Sequence, residues 1–456
     1  MRSKNPVLGA GLALAAVLLA APGHAQERLD QMSDRAAVRA LTAAYDASAH
    51  DLLDDLVTTP GLGRNIVFSP YSIGTAMAMV LSGARNATES EMIRVLRHTL
   101  PREAIDKANA RLLATLNGYD RSAEPVACPA GMRFDGKECA APPSASGACA
   151  AGYRQDNRCV APGRKPPSAA LKAANALMLL KPNGDMISSA FAGHLERDYR
   201  AQVFRDAGLD EINSWVDRQT EGKIDRIIDA IDPAAPAVLL NAIYFKAAWK
   251  TPFIARATSD DDFRLTPSGS VKVPTMHRLG SYQMATHPGY RAIRLPYSVD
   301  ALSMVVVLPD EVGGADKLAR DLNAPTLAAL FRDLTAWKTV NLALPRFKTS
   351  FKANLGAWFR KAGMRRAFDP ALADFSGMTG RPTGQLAISE VVHRTIIDVT
   401  EEGTEAAAAT AITMMTSSMP RNVEPFVVDR PFLFYIADDA TGAILFQGRI
   451  SDPRSQ

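Results

Sequence analysis

Residues 401–411 read Glu-Glu-Gly-Thr-Glu-Ala-Ala-Ala-Ala-Thr-Ala, and almost nothing in them is large. Residues 412–420 continue apolar and uncharged, and strand-like character returns only at Phe426-Val427-Val428. A segment of so little side-chain volume builds no core, yet it can enter a gap between two strands without overpacking it. At the strand period of two, Thr404, Ala406, Ala408, Thr410, Ile412 and Met414 share one face. That face is free of charge, and Glu405 points the other way. Local propensity alone favours an Ala-rich helix or a low-complexity linker for the same residues, because Ala is the best helix former. Which reading holds depends on what the rest of the chain can build around the segment.

The rest is long enough for one large α/β domain with an appendage: 456 residues. Charge is nearly balanced, with 52 Lys and Arg against 48 Asp and Glu. Such a balance argues against a nucleic-acid binder acting by phosphate neutralisation. Residues 1–25 read as a secretory signal peptide: Arg2 and Lys4, the apolar run 7–21, Pro22, then Gly23-His24-Ala25 before a cut at Gln26. The run is short for a membrane span and no Cys follows it to take a lipid, so an exported protein without a span is expected, extracellular or periplasmic. All four Cys then belong to a compartment where disulfides persist.

Those Cys fall together in residues 121–168, a Pro- and Gly-rich stretch with few aliphatics that is an internal repeat. Cys128-Pro-Ala-Gly-Met-Arg-Phe-Asp135 leads to Cys139-Ala-Ala-Pro142, and Cys149-Ala-Ala-Gly-Tyr-Arg-Gln-Asp156 leads to Cys159-Val-Ala-Pro162. Asp135-Gly136 and Asp156-Asn157 suit hairpin turns. The pattern predicts two small hairpins in series, closed by Cys128–Cys139 and Cys149–Cys159 out of three possible pairings. A four-Cys zinc site is the alternative, though no close Cys-x-x-Cys pair supports it.

Elsewhere the spacing predicts helices over 34–57, from Pro70 behind the N-cap Ser69, over 104–116 and over 211–221. Strands are predicted around Leu177 and over 237–253, 263–276, 290–308, 340–348, 386–400, 431–436 and 443–450. No Gly-x-Ser-x-Gly or His-Glu-x-x-His is present, and the seven His are scattered, so no enzyme site is legible.

In order, the segment from Asn65 (Asn-Ile-Val-Phe-Ser-Pro), the run from Ala237 into Trp249 and Pro252, Leu308-Pro309, Leu344-Pro345-Arg346-Phe347-Lys348, Asp374-Phe375-Ser376-Gly377 and the 401–411 stretch resemble the serpins, inhibitors that trap proteases by inserting a loop. The resemblance covers residues 35–120 and 169–453 and implies a secreted bacterial member with a Cys-rich insertion. It implies an α+β fold with three sheets, about nine helices and an exposed reactive loop, and a monomer without cofactor or metal. It implies a non-enzyme. The target serine protease supplies the chemistry, and the cut loop enters the central sheet as a new strand. Glu401, Gly403, Thr404, Ala406, Ala408 and Thr410 would form the hinge. Counting from Gly403 by the family's spacing puts the scissile bond at Ser417–Ser418, which suits an elastase- or subtilisin-like pocket. Met415–Thr416 would suit a chymotrypsin-like enzyme or a cathepsin-like cysteine protease, and cleavage at Arg421 is the least favoured. Ser69, Ser72, Asn241 and His393 match a polar cluster beneath the sheet, and Trp249 a buried Trp where insertion begins. A non-inhibitory member that binds a ligand or partner, with residues 121–168 as a docking module, is the competing expectation.

Overall fold

A computed structural model describes residues 22–59, 65–121, 168–180, 185–232, 235–381, 386–404 and 422–455, with a few positions and short strands between 124 and 161 and Asn183. Its centre is a six-stranded sheet in the order Phe347–Asn354, Glu390–Val399, Gly403–Thr404, Ala237–Ala248, Ala169–Leu179, Gln202–Arg205. The 237–248 and 169–179 strands read as near-continuous apolar runs because both faces are covered. One face packs on the main core and the other on a smaller cluster that includes Ile212, Val216, Ile224 and Ile227.

A nine-stranded sheet lies against it, running Ile66–Phe68, Ala443–Ile450, Phe432–Asp438, Leu302–Pro309, Tyr290–Pro296, Gly269–His287, Ala336–Pro345, Glu424–Val427, with Ser259–Thr266 branching from Gly269–His287. Three sheets in all were expected from the resemblance. Here the strands outside the central sheet run together because the 19-residue strand Gly269–His287 pairs with Ser259–Thr266 over 269–275, with Ala336–Pro345 over 275–284 and with Tyr290–Pro296 over 283–287. The third hydrogen-bonded sheet is instead the one in the Cys-rich insertion.

Ten α-helices stand among the described residues. Helix Pro70–Gly83 is buried along its whole length and starts as its sequence predicts: Ser69 accepts from the Ser72 N–H, and Pro70 occupies the first turn, where no donor is missed. Helix Pro22–Thr58 begins before the predicted start at residue 34, and the expected cut before Gln26 falls near its N-terminal end. It crosses Pro70–Gly83 at Gly74, where a Cβ would come within 2.3 Å of the Tyr45 ring, so only glycine permits the approach. The helices Ser189–Tyr199, Ala315–Asp321 and Ala324–Asp333 were not predicted.

The insertion keeps the two expected hairpins and adds a pairing between them. Strands Arg133–Phe134, Cys139–Ala141, Arg158–Ala161 and Tyr153–Gln155 form one antiparallel sheet, in which Cys139 pairs with Ala161 and Ala141 with Cys159. Side-by-side pairing satisfies the inner edges that separate hairpins would leave open. Cys128 is bonded to Cys139; Cys149 lies outside the described residues. The neck is clasped: Ala169 N–H donates to Tyr119 O at 2.9 Å and Arg121 N–H to Ser168 Oγ at 2.9 Å. Tryptic digestion of the unreduced protein cuts at Arg133, Lys137, Arg154 and Arg158, which leaves Cys139 and Cys149 together on the peptide 138–154. Fragmenting that peptide between the two should leave the peptide carrying Cys128 on its Cys139 half, and finding it on the Cys149 half, or joined directly to Cys159, would contradict the fold of the insertion.

Candidate functional site

The central sheet has one parallel pair at its middle. Glu390–Ile396 pairs residue by residue with Val238–Tyr244. Above that stretch the two strands part, and Gly403–Thr404 lies between them, antiparallel to both: Thr404 opposite Val399 and Ala247, Gly403 opposite Ala248. The two ends of the same ladder are therefore in different states, closed below and wedged above.

The wedge is held from several sides. Gly403 has φ 155°, and a Cβ there would sit 2.1 Å from Ala247 O, so no other residue fits. Thr404 is fully buried and its Oγ1 shares a 2.7 Å hydrogen bond with Tyr297 Oη. Trp249 stacks on Tyr297 at 4.5 Å, donates its Nε1–H to Thr400 O at 3.0 Å and its backbone N–H to Glu402 O at 2.9 Å. Glu401 is 1% exposed; Thr258 Oγ1 donates to its Oε1 at 2.5 Å and Arg346 Nε to its Oε2 at 2.7 Å. Burial alone would raise the Glu401 carboxyl, but the Thr258 and Arg346 hydrogen bonds outweigh it and hold the group below the usual range.

Lower down, one rung crosses three strands: Asn175 opposite Asn241, and Asn241 opposite His393. Ser69 N–H donates to His393 Nε2 at 3.3 Å, so the ring's proton sits on Nδ1 and is given to Asn241 Oδ1. Asn241 Nδ2 in turn donates to Ser72 Oγ at 2.6 Å and to Asn175 Oδ1 at 2.5 Å. Burial pushes His393 down to about 3, so the ring is neutral at any ordinary pH. The cluster ties the start of helix Pro70–Gly83 to the closed half of the ladder, and the strands cannot separate at this level without breaking it.

The structure thus brings Ser69, Ser72, Asn241 and His393 together, and separately joins Trp249 to Glu401, Gly403 and Thr404. Ala406, Ala408, Thr410, Met415, Thr416, Ser417 and Ser418 lie outside the described residues. Sequence reasoning missed Asn175, Tyr297, Thr258 and the role of Arg346. Asn175 carried a signal, as a lone amide in the apolar run 173–179. Thr258 carried none.

A model of the family described as serpin (serine protease inhibitor) matches residues 43–453. The chain belongs to the serpin family. An uncharacterised serpin-like protein of Thermococcus kodakarensis is 32% identical over 420 residues, covering 90% of this chain and 85% of that one. The leukocyte elastase inhibitor of Homo sapiens is 31% identical over 406 residues, covering 85% and 93%. Among solved structures, human thyroxine-binding globulin complexed with thyroxine superposes with a TM-score of 0.73 at 26% identity, over 91% of this chain and 99% of that one. These relatives come from an archaeon and from man, so a bacterial source stays an expectation from the sequence.

The polar rung makes stability depend on pH in a stated direction. An unfolded His takes up a proton below about 6.5, whereas folded His393 stays neutral down to about 3. Its contribution is whole above pH 6.5 and falls as pH drops toward 3, by up to about 1.4 kcal/mol per pH unit. Buried His98, pushed down to about 4, acts in the same window, and Glu401 adds a loss below about 4.5. Burial raises the carboxyls of Asp46, Asp106 and Asp438, which gain stability as pH falls and so oppose these losses. His393→Gln should therefore shift the slope of the thermal midpoint between pH 6.5 and 4.5 toward greater stability at the acid end. An equal slope in the variant would mean that His393 is not the neutral partner described here.

Proposed function

We propose that this chain inhibits a serine protease by trapping it: the protease is acylated on the loop, and the cut loop enters the central sheet. One observation carries the reading. The strands 390–399 and 237–248 form a parallel ladder whose upper end already holds two residues of the hinge in antiparallel register with both. A strand continuing downward exchanges one parallel ladder for two antiparallel ones, which are the more stable per residue.

The register supports the sequence of the hinge. Thr404 stands opposite Val399 and Ala247. Counting down both strands from there would put Ala406 between Ile397 and Phe245, Ala408 between Thr395 and Ile243, and Thr410 between His393 and Asn241. Between neighbours of that size only small residues insert without overpacking. Thr410 would arrive at the rung whose His393–Asn241 hydrogen bond insertion breaks, bringing a hydroxyl that can donate and accept.

The chemistry is the protease's own. Its serine attacks the Ser417 carbonyl, the Ser417–Ser418 peptide bond breaks, an ester to the enzyme forms, and Ser418 leaves as a new amino terminus. Insertion then carries the ester away from the groups that would hydrolyse it. The small side chain at Ser417 favours an elastase- or subtilisin-like target, and Met415 a chymotrypsin-like or cysteine protease if the cut moves. With residues 1–25 taken as a signal peptide, the encounter is outside the cytoplasm. The second reading, a carrier without inhibitory action, draws on the likeness to thyroxine-binding globulin; the charge-free inward face of the hinge favours the inhibitor.

The wild-type chain should form a complex with the protease that survives a denaturing gel, and a clean cut between Met414 and Arg421 should raise the thermal midpoint. Thr404→Arg places an unpaired charge in the sheet interior, at a cost of several kcal/mol, and Ala408→Pro removes a ladder donor. Both should be cleaved as readily as wild type while the complex band falls to near zero. Cleavage without any complex band in the wild-type chain would sink the inhibitory reading.

A further inference from the structure

The outer face of the central sheet is covered by residues 209–229, the helix Leu209–Gln219 and the chain that follows it. Ile212, Val216, Ile224 and Ile227 of this cover share one apolar cluster with Leu240 and Val392. Those two residues stand opposite each other in the parallel ladder. A strand entering between them drives them from about 5 Å to about 10 Å apart. The cover therefore lies over the seam that must part. It rests mainly on one side of it: among the described residues buried in the cluster, Val392 alone comes from the strand 390–399, whereas the strands 169–179 and 237–248 supply Ala174, Met178, Val238 and others.

Charge fastens the cover at both ends. On the near side Lys172 Nζ, on the strand 169–179, stands 3.2 Å from Glu221 Oε1 and 2.9 Å from Asp120 Oδ2 at the neck of the insertion. On the far side Lys352 Nζ stands 2.6 Å from Asp229 Oδ2. Arg394, opposite Lys352 on the next strand, donates to Arg226 O and lies 3.8 Å from Asp225. Lys172 and the apolar packing thus join the cover to the strands on one side of the seam, and Arg394 and Lys352 tie it to those on the other. Ties of hydrogen-bond length do not stretch by a strand's width. The seam cannot widen by a strand while both ends hold.

We propose that residues 209–229 are a strap across the seam, and that Lys172 and Lys352 are positioning residues that set how fast the sheet admits a strand. The two ends act in series. Releasing either one lets the strap travel with the other side, and releasing the second then adds nothing. Because Lys172 is shared with Asp120, one ammonium joins the neck of the insertion to the strap. That strand admission decides between trapping and plain cleavage rests on the reading of the loop as a protease trap; the strap itself does not.

The test uses the full chain and its variants Lys352→Met, Lys172→Met and the two together, with Asp229→Asn to cut the far tie from its other partner. The probe is a synthetic peptide copying residues 404–414, and the quantity read is its second-order rate of entry into the uncleaved chain. Amide exchange over 238–244 and 390–396 is followed beside it, with the strand Leu302–Pro309 as reference. Each single change should speed peptide entry and seam exchange by about two- to five-fold, the scale of one partly exposed ion pair. Exchange over 302–309 should not change. The double variant should be no faster than the faster single one, although substitutions about 14 Å apart, across three strand spacings, ordinarily add. Lys352→Arg keeps the charge and should keep the wild-type rate; an Arg variant as fast as Lys352→Met overturns the proposal. So do wild-type rates in both single variants, a double variant whose gain is the product of the single gains, or faster exchange over 302–309, which would mean general loosening. With pancreatic elastase the single variants should also raise the ratio of trapped to cleaved chain. Failure of the inhibitory reading looks different: elastase only cleaves the wild-type chain, while the peptide rates still judge the strap.

Discussion

The ladder between Glu390–Val399 and Ala237–Ala248 is the contact on which the rest of the molecule depends. The two strands are far apart in sequence and run parallel within a sheet whose other neighbours in this region are antiparallel. They meet because nothing stands between them over Glu390–Ile396, and they part where Gly403–Thr404 does. Their side chains are matched to both states. Ile243, Phe245 and Ala247 face the main core whether or not a strand lies beside them, so parting the strands costs mainly the ladder hydrogen bonds and the polar rung.

That rung is neutral and satisfied at each atom that can be traced: Ser69 to His393, His393 to Asn241, Asn241 to Ser72 and Asn175. A buried network of this kind is strong while complete and costly once one member is withdrawn. Ser69 has two duties, since it caps helix Pro70–Gly83 with its hydroxyl and gives its backbone N–H to His393. Opening of the sheet at this level is thereby coupled to the start of the most buried helix. The upper wedge differs in kind. It is held by an aromatic stack, a buried carboxylate and a glycine, and each of these acts on residues 401–404 rather than on the strands themselves.

Much of this was legible in the chain, and the reasons differ by element. The Ser69-Pro70 helix start, the strand 237–248 and the C-terminal pair Phe432–Asp438 and Ala443–Ile450 follow from capping and from apolar runs. His393, Asn241 and Trp249 were found by resemblance, because a single polar residue in a buried strand does not say what it bonds. Asn175 carried the same kind of signal and was passed over. Arg346 and Thr258 converge on Glu401 from 55 and 143 residues away, a proximity that only the fold creates. The helices Ser189–Tyr199 and Ala324–Asp333 escaped because their Ser188 and Asn323 caps were not sought. The Cys repeat showed two units plainly but not that their strands pair with each other.

The neck of the insertion has a consequence of its own. Tyr119 and Ala169 are bonded across it, and Arg121 to Ser168, so the chain leaves and rejoins the domain at one point. The closing of that loop is already accomplished by the fold on either side, and lengthening it adds only a slowly growing entropic term. Residues 122–167 therefore hang from a socket. Whatever is spliced into it, long or short, leaves Ala169 opposite Ala247 and every rung beyond it in register. The domain can change what it displays at this point without renegotiating how it folds.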